Sequence, residues 1–457
     1  MGIPSYFSYI IRKHPYIITS LTTAKNLYLD SNSIIYDTAH SIEFNQHFEE
    51  NLIKAVCEKI DYYLNLVKPS RVMIAFDGVP PMAKVQQQRD RRYKSWIIPG
   101  PKSEWNTIQI TPGTVFMDKL DESLHAHFKY YWQKYDYFKL STSKEEGEGE
   151  HKIFSYIRMN PDVHKSTQTL IYGLDSDLIV LSLNHLKYGD IKLLREAPAF
   201  MLQDKELHVL DVPKLADGIC EIIGKKIPDY IFMTLLLGND FMPHFPALNL
   251  RTSGFDTLIQ TYNSCVLPYE TMYDGTKINW SVFERFITAL GEKEHSIFIK
   301  EYHARNRLKV DASTEDKKIN NLPILKREKE HFICPIQPGW EKRYYTLLND
   351  ASIEKVCKNY TDMLEWNLTY YTSGCTNWTM YYEYMYPPLL IDLAKHIPTQ
   401  TISLYDDTKL TPHELLRYVL PPPYYNYIPN EESQEAEKPS LSWAYCRYIW
   451  ESHVNFN

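Results

Sequence analysis

The seven cysteines of this 457-residue chain form no CxxC pair and no Cys/His spacing of the zinc-finger kind. An odd, scattered set also argues against a disulfide framework and for a reducing compartment. No run of about 18 or more apolar residues occurs, which excludes an ordinary membrane-spanning helix. Residues 1–11 lack the basic, apolar and small-residue regions of a secretory signal, and no clear nuclear signal is seen. The expectation is a cytoplasmic protein with no membrane partner. Internal repeats and low-complexity tracts are absent as well.

With 44% hydrophobic and 23% charged residues, the composition is that of an ordinary globular protein. The length exceeds what one hydrophobic core usually supports, so two lobes or a core with a large appendage are expected. A net charge of −7 ordinarily speaks against a nucleic-acid partner. A cluster of metal-binding carboxylates would distort that count, because bound cations cancel it. Local charge is the better guide.

Acids recur at the ends of short apolar runs. Leu27-Tyr28-Leu29 ends in Asp30, residues 72–76 end in Asp77, and residues 169–174 lead into Asp175 and Asp177. Such runs with intervening helical stretches predict an α/β fold with a mostly parallel sheet flanked by helices. In these sheets ligands bind beyond the carboxyl ends of the strands. Two further motifs, Gly147-Glu148-Gly149-Glu150-His151-Lys152 and Gly238-Asn239-Asp240, add three carboxylates. Taken alone, each acid is an ordinary surface or capping residue. Seven converging anions would repel one another strongly. Hard divalent cations resolve this, and a pair of Mg²⁺ ions, or Mn²⁺, fits an all-oxygen ligand set suited to phosphate chemistry. His151 is expected to be a hydrogen-bonded structural residue, with a third-ligand or acid/base role as the alternative, and Lys152 to reach a phosphate or a neighbouring carboxylate.

Directly after Asp77 comes a basic stretch. Lys84, Gln88, Arg91 and Arg92 stand at i, i+4, i+7 and i+8 and so share one helical face. Five cations against Asp90 give residues 84–94 a local charge of +4. Further on, residues 296–337 turn polar and charged and read as a solvated connector between a first region, 1–295, and a second, 338–457, dense in aromatics.

These motifs, in this order, resemble the XRN family of 5′→3′ exoribonucleases within the FEN/PIN-like metal-dependent nucleases. The resemblance extends from Met1-Gly2-Ile3-Pro4 through Leu194-Arg195-Glu196 and Gly238-Asn239-Asp240-Phe241 to Pro338-Gly339-Trp340 and Leu420-Pro421-Pro422-Pro423. It implies a PIN/FEN-like core with an appended helical region, in a short form holding only the two conserved regions. Asp30, Asp77, Glu148, Glu150, Asp175, Asp177 and Asp240 fall on the family's metal-binding, catalytic positions. Lys84, Gln88, Arg91 and Arg92 fall on its pocket for a 5′-monophosphate. Tyr36 stands where the family often has a base-stacking histidine. A Trp-x-Trp is replaced by Trp378-Thr379-Met380, so one of two stacking platforms departs from the pattern. The implied activity is hydrolysis of 5′-monophosphorylated single-stranded RNA to mononucleotides by a monomeric, Mg²⁺-dependent enzyme. A structure-specific DNA nuclease of the FEN type and a catalytically silent RNA 5′-end-binding protein are the alternatives.

Overall fold

The computed structural model describes residues 2–3, 5–98, 105–196, 207–267, 270–400 and 405–456. Its centre is a seven-stranded sheet of β1 (Ile18–Thr19), β2 (Asn26–Asp30), β3 (Arg71–Ala75), β4 (Tyr137–Ser141), β5 (Gln168–Tyr172), β6 (Asp190–Glu196) and β7 (Leu207–Leu210). The spatial order is β1-β7-β6-β5-β2-β3-β4. The five strands β6-β5-β2-β3-β4 run parallel, and β7 lies antiparallel between β6 and β1. The expected mostly parallel sheet is therefore present.

Parallel neighbours need a crossover, usually a helix. Between β2 and β3 the chain forms α1 (Asn32–Ser41) and α2 (Phe48–Val67); between β3 and β4, α3 (Met82–Ile97) and α4 (Val115–His127). α5 (Gly149–Met159) precedes β5, and α6 (Asp177–His185) follows it. From β2 the chain winds outward through β3 and β4, then returns to place β5 on the other side of β2. That reversal makes the carboxyl end of β2 the switch point, where α/β sheets bind ligands.

Every residue of β2 is buried, and its side chains alternate. Leu27 and Leu29 enter one apolar cluster with α2 and α4, while Tyr28 enters a second on the opposite face. The second cluster also takes in α7 (Ile227–Leu235), α8 (Trp280–Arg307) and α9 (Ile353–Thr372), with Tyr360, Trp366, Tyr370 and Tyr371 buried from α9. The helical, aromatic-rich second region thus shares a core with the sheet. No described helix is long and apolar enough to cross a membrane.

The boundary expected at 295/296 lies inside α8, one unbroken helix. Helices also occupy Glu315–Asn320, Leu322–Leu325 and Glu328–Ile333 within the expected connector. The charge of this stretch is partly folded inward. Buried Glu330 accepts from Arg305 Nε at 2.9 Å and Nη2 at 2.5 Å, and from Arg327 Nε at 2.6 Å. A carboxylate held by two guanidinium groups tolerates burial that an unpaired charge would not.

Candidate active site

All seven acids predicted from the sequence lie at the carboxyl end of the parallel strands or on the segments facing it. Asp30 closes β2, and Asp77 stands two residues beyond β3. Glu148 immediately precedes α5 and Glu150 sits in its first turn. Asp175 lies in the turn after β5, Asp177 opens α6, and Asp240 follows α7. The Asp175 turn is pinned by Arg195 on β6, whose guanidinium donates to the carbonyls of Leu174 and Asp175.

The acids form two adjoining groups. In the first, ligand oxygens of Asp30, Asp77 and Glu150 lie within 4.8 Å of one another, as do atoms of Glu148, Glu150 and His151. Glycine permits this closeness: a Cβ on Gly149 would stand 2.7 Å from Asp30 Oδ1. Asp77 is aimed by two backbone contacts and one side chain. The Gly149 amide donates to its Oδ1 at 2.7 Å, Asn32 Nδ2 donates to its Oδ2 at 2.6 Å, and its own amide donates back to Asn32 Oδ1 at 3.1 Å. In the second group, the Gly2 amide donates to Asp240 Oδ1 at 3.1 Å, and a Cβ on Gly2 (φ +51°) would meet Asp177 Oδ1 at 2.4 Å.

Lys84 joins the groups, its Nζ 2.6 Å from Glu148 Oε2 and 2.8 Å from Asp240 Oδ2. The charge it supplies is not enough for seven acids. Burial raises the Asp30 carboxyl well above the usual range, and the Asp77 and Asp175 charges raise it further. Glu150 is raised in the same way by burial, then by Asp30 and Glu148. Burial and Asp240 push Asp177 up to about 7. Asp240 goes the other way: burial, the largest single influence, would raise it, but the positive charges around it, Lys84 foremost and Arg91 among them, together hold it below the usual range. Asp177 Oδ1 is buried with no hydrogen-bond partner among the described residues. Crowded oxygens, raised carboxyls and an orphaned Oδ1 fit hard divalent cations, which take oxygen ligands.

Three residues at the site were not singled out by sequence reasoning. Asn32 and Gly2 are described above. The third, Tyr370 on α9, donates its hydroxyl to Glu148 Oε1 at 2.8 Å. None is charged, and Tyr370 reaches Glu148 across 222 residues of chain, so no local pattern marks it. Two expectations for the 147–152 motif are corrected. His151 stacks on Tyr370 with centroids 3.6 Å apart, and its buried Nδ1 has no hydrogen-bond partner among the described residues. Burial, followed by the Arg158 charge, holds its pKa well below normal, so the ring is neutral. Lys152 donates instead to the carbonyls of Phe76 at 2.7 Å and Thr142 at 3.0 Å, tying together the segments that leave β3 and β4.

The basic face of α3 divides by role. Lys84 faces the acids, and Gln88 is buried with Oε1 unpartnered among the described residues. Arg92 is anchored, donating to Thr111 Oγ1 from Nε at 3.0 Å and Nη2 at 2.6 Å, and to Gln88 O at 3.2 Å. Arg91 is exposed; its Nη2 donates to the Tyr36 hydroxyl at 2.8 Å, with the guanidinium 5.3 Å from the ring centre. Trp378 is half-buried at the start of the same helix: its carbonyl accepts from the Met82 amide at 2.8 Å, and Lys409 Nζ lies 4.8 Å from its ring centre. Met380 packs against the large core cluster.

A family model described as XRN 5'-3' exonuclease N-terminus matches residues 1–98 and 97–197, and one described as Xrn1 helical domain matches residues 223–334 and 333–435. The chain belongs to the XRN family. Among curated XRN relatives, 5'-3' exoribonuclease 2 of Eremothecium gossypii is 31% identical over 448 residues, covering 74% of this chain and 46% of that protein. 5'-3' exoribonuclease 1 of Saccharomyces cerevisiae is 27% identical over 609 residues, covering 94% of this chain and 40% of that protein. This XRN chain thus spans less than half the length of these relatives. Among solved structures, the catalytic core of Rad2 in complex with DNA substrate overlaps with a TM-score of 0.39 at 14% identity, covering 68% of this chain and 82% of that one. That overlap is too loose to add to the topology. The helical-domain match begins at residue 223.

Proposed function

We propose that this chain is a divalent-cation-dependent 5′→3′ exoribonuclease that takes 5′-monophosphorylated single-stranded RNA and releases nucleoside 5′-monophosphates. One observation carries the reading: seven carboxylates gather at the sheet's switch point beside a helix whose cationic face meets them. The names of the curated relatives support the same activity. Asp30, Asp77, Glu148, Glu150, Asp175, Asp177 and Asp240 would hold two Mg²⁺ ions. When bound, such ions polarise a phosphodiester and make water a better nucleophile.

The chain's own residues set direction and register. Arg91 and Gln88, with Lys84 at the border of the acids, bind the 5′-phosphate, while Arg92 braces the pocket wall through Thr111. An arginine fork matches phosphate oxygens, and a lysine adds a point charge. With the 5′-phosphate held there, the next phosphodiester falls at the acids. Water attacks its phosphorus, the bond to O3′ breaks, and O3′ leaves with a proton. The first nucleotide departs with its original 5′-phosphate, and the shortened strand carries a new one. Tyr36 beside Arg91, and Trp378 at the start of α3, supply stacking faces for bases, which gives little sequence preference.

The test is turnover of one RNA oligonucleotide bearing a 5′-monophosphate, 5′-hydroxyl or 5′-triphosphate, with and without Mg²⁺. Mononucleotide release from the monophosphate form alone, and only with Mg²⁺, is the expected result. Equal turnover of all three ends would discard the pocket. Preference for a DNA flap would replace RNA as the substrate, and RNA bound without turnover would leave an end-binding protein.

A further inference from the structure

A cavity of about 1630 Å³ opens onto the site from one side. Asp240 and Gly2 line its buried end. One wall is the face of α3 that carries Gln87, Arg91 and Lys94, a helical stripe, with Ile98 just beyond the end of the helix. Trp96, Lys438 and Trp450 stand further along it. Asp30, Asp77, Glu148, Glu150, Tyr36 and Trp378 do not line it. The cavity therefore meets the site only where Arg91 and Asp240 are.

With a 5′-phosphate at Arg91 and the scissile phosphate at the acids, the nucleotide between them is the one about to be released. On the exoribonuclease reading that nucleotide adjoins the cavity, because Arg91 and Asp240 both line it. The space exceeds the roughly 300–1,000 Å³ of ordinary small-ligand sites, so a mononucleotide and its water fit.

The far part has the chemistry of a nucleotide site. Trp450 stacks on Tyr448 with centroids 4.2 Å apart and rings 11° from parallel, yet stays 50% exposed. Lys438 Nζ lies 5.9 Å from the Trp96 ring centre. The three acids in the lining are already paired: Asp90 with Lys94, Glu451 with Arg251 at 2.5 Å, and Asp240 with Lys84 at 2.8 Å. Arg91 and Lys438 are then left to meet a phosphate, and the aromatic planes to meet a base.

We propose that this cavity is a product site, which takes the released nucleoside 5′-monophosphate and holds its base against Trp450. The assignment rests on the exoribonuclease reading above for the source of the nucleotide, but not for its binding.

The experiment titrates adenosine 5′-monophosphate and inorganic phosphate separately into the whole protein and into the Trp450→Ala and Lys438→Ala variants. The wild type binds the nucleotide more tightly than phosphate, and Trp450→Ala loses most of that margin, roughly five- to a hundredfold for one base–aromatic stack. Lys438→Ala weakens nucleotide binding too. Inhibition of RNA turnover by the nucleotide weakens in parallel, while kcat/KM for 5′-phosphorylated RNA is unchanged. Nucleotide affinity equal in wild type and both variants would overturn the proposal. So would a raised KM for RNA with nucleotide affinity intact, because the aromatic rim would then hold the strand. A wild type that turns over no RNA, yet binds the nucleotide through Trp450, would remove the nuclease reading and keep the ligand assignment.

Discussion

Glu148 and Asp240 share one cation: the Lys84 ammonium lies 2.6 Å from the first and 2.8 Å from the second. One acid comes from the start of α5 and the other from beyond α7, so this contact ties two separate segments into one site. It affects the two carboxyls differently. Burial raises Glu148, and Lys84 only partly offsets this; at Asp240 burial raises too, but the same ammonium, joined by Arg91 and other positive charge, brings the carboxyl below its usual range. Lys84 itself is desolvated, which would lower its pKa, but Asp240, Glu148 and Glu150 together raise it well above normal. It stays charged.

Replacing that cation exposes the repulsion it offsets. Lys84→Met should destabilise the protein in EDTA by about 3–5 kcal/mol, the range for breaking a buried pair from one side. Saturating Mg²⁺ should restore more stability to the variant than to the wild type. Thermal melts in EDTA and in Mg²⁺ read both effects, and coincident EDTA melts for variant and wild type would refute the shared-cation role.

The opposite sign is expected for Glu150→Gln. Glu150 is raised by burial and by Asp30 and Glu148, so neutralising it removes a destabilising anion from the metal-free site. Its melting temperature in EDTA should rise while RNA turnover falls by more than the roughly 10–100-fold seen when a residue supporting a metal ligand is lost. Tyr370→Phe, which removes only the hydroxyl that Glu148 accepts, should fall within that 10–100-fold range. A Glu150→Gln enzyme with wild-type turnover would show that this carboxylate is not part of the chemistry.

The acids were legible in the sequence because each strand announces itself as an apolar run and the acid comes where the run stops, as at Asp30 and Asp77. Parallel strands with buried faces need little more than that pattern to be seen. The partners of those acids were not legible. Asn32 carries no charge, Gly2 acts through its backbone amide, and Tyr370 arrives from a helix 222 residues away. The buried charges within the expected connector were not legible for a related reason. Arg305, Arg327 and Glu330 read as solvated charge, but they are buried and paired with one another. Local composition does not show which charges face inward.

The division of labour on α3 separates Arg91 from Arg92. Arg91 is exposed beside Tyr36, so Arg91→Ala should raise KM for 5′-phosphorylated RNA and erase its advantage over 5′-hydroxyl RNA without changing stability. Arg92 is locked to Thr111, so Arg92→Ala should lower the melting temperature as well. Kinetics on the two RNA ends and a melt of each variant distinguish them. Equal loss of stability in both variants would mean that the helix face does not divide in this way.

A last prediction concerns pH and lies away from the acids of the site. Glu294 on α8 is buried and accepts from the amides of Leu390 at 2.8 Å and Ile391 at 3.1 Å, at the start of the helix Leu390–Ala394. Burial pushes its carboxyl up to about 8 despite those two amides. Below the ordinary glutamate value, near 4.5, the group is protonated in both folded and unfolded chains. Between there and about 8 the unfolded chain has lost the proton and the folded one keeps it, so the folded state binds more protons and stability falls as pH rises. The slope from one such group is at most about 1.4 kcal/mol per pH unit and ends once the folded carboxyl ionises. Glu294→Gln keeps the shape of the protonated acid and removes the titration. Denaturant midpoints from pH 5 to 8 should therefore fall less steeply in the variant than in the wild type. Acids elsewhere are common to both proteins and drop out of the comparison. Parallel midpoint curves would show that Glu294 is ionised in the folded protein throughout, held by the two amides at the start of that helix.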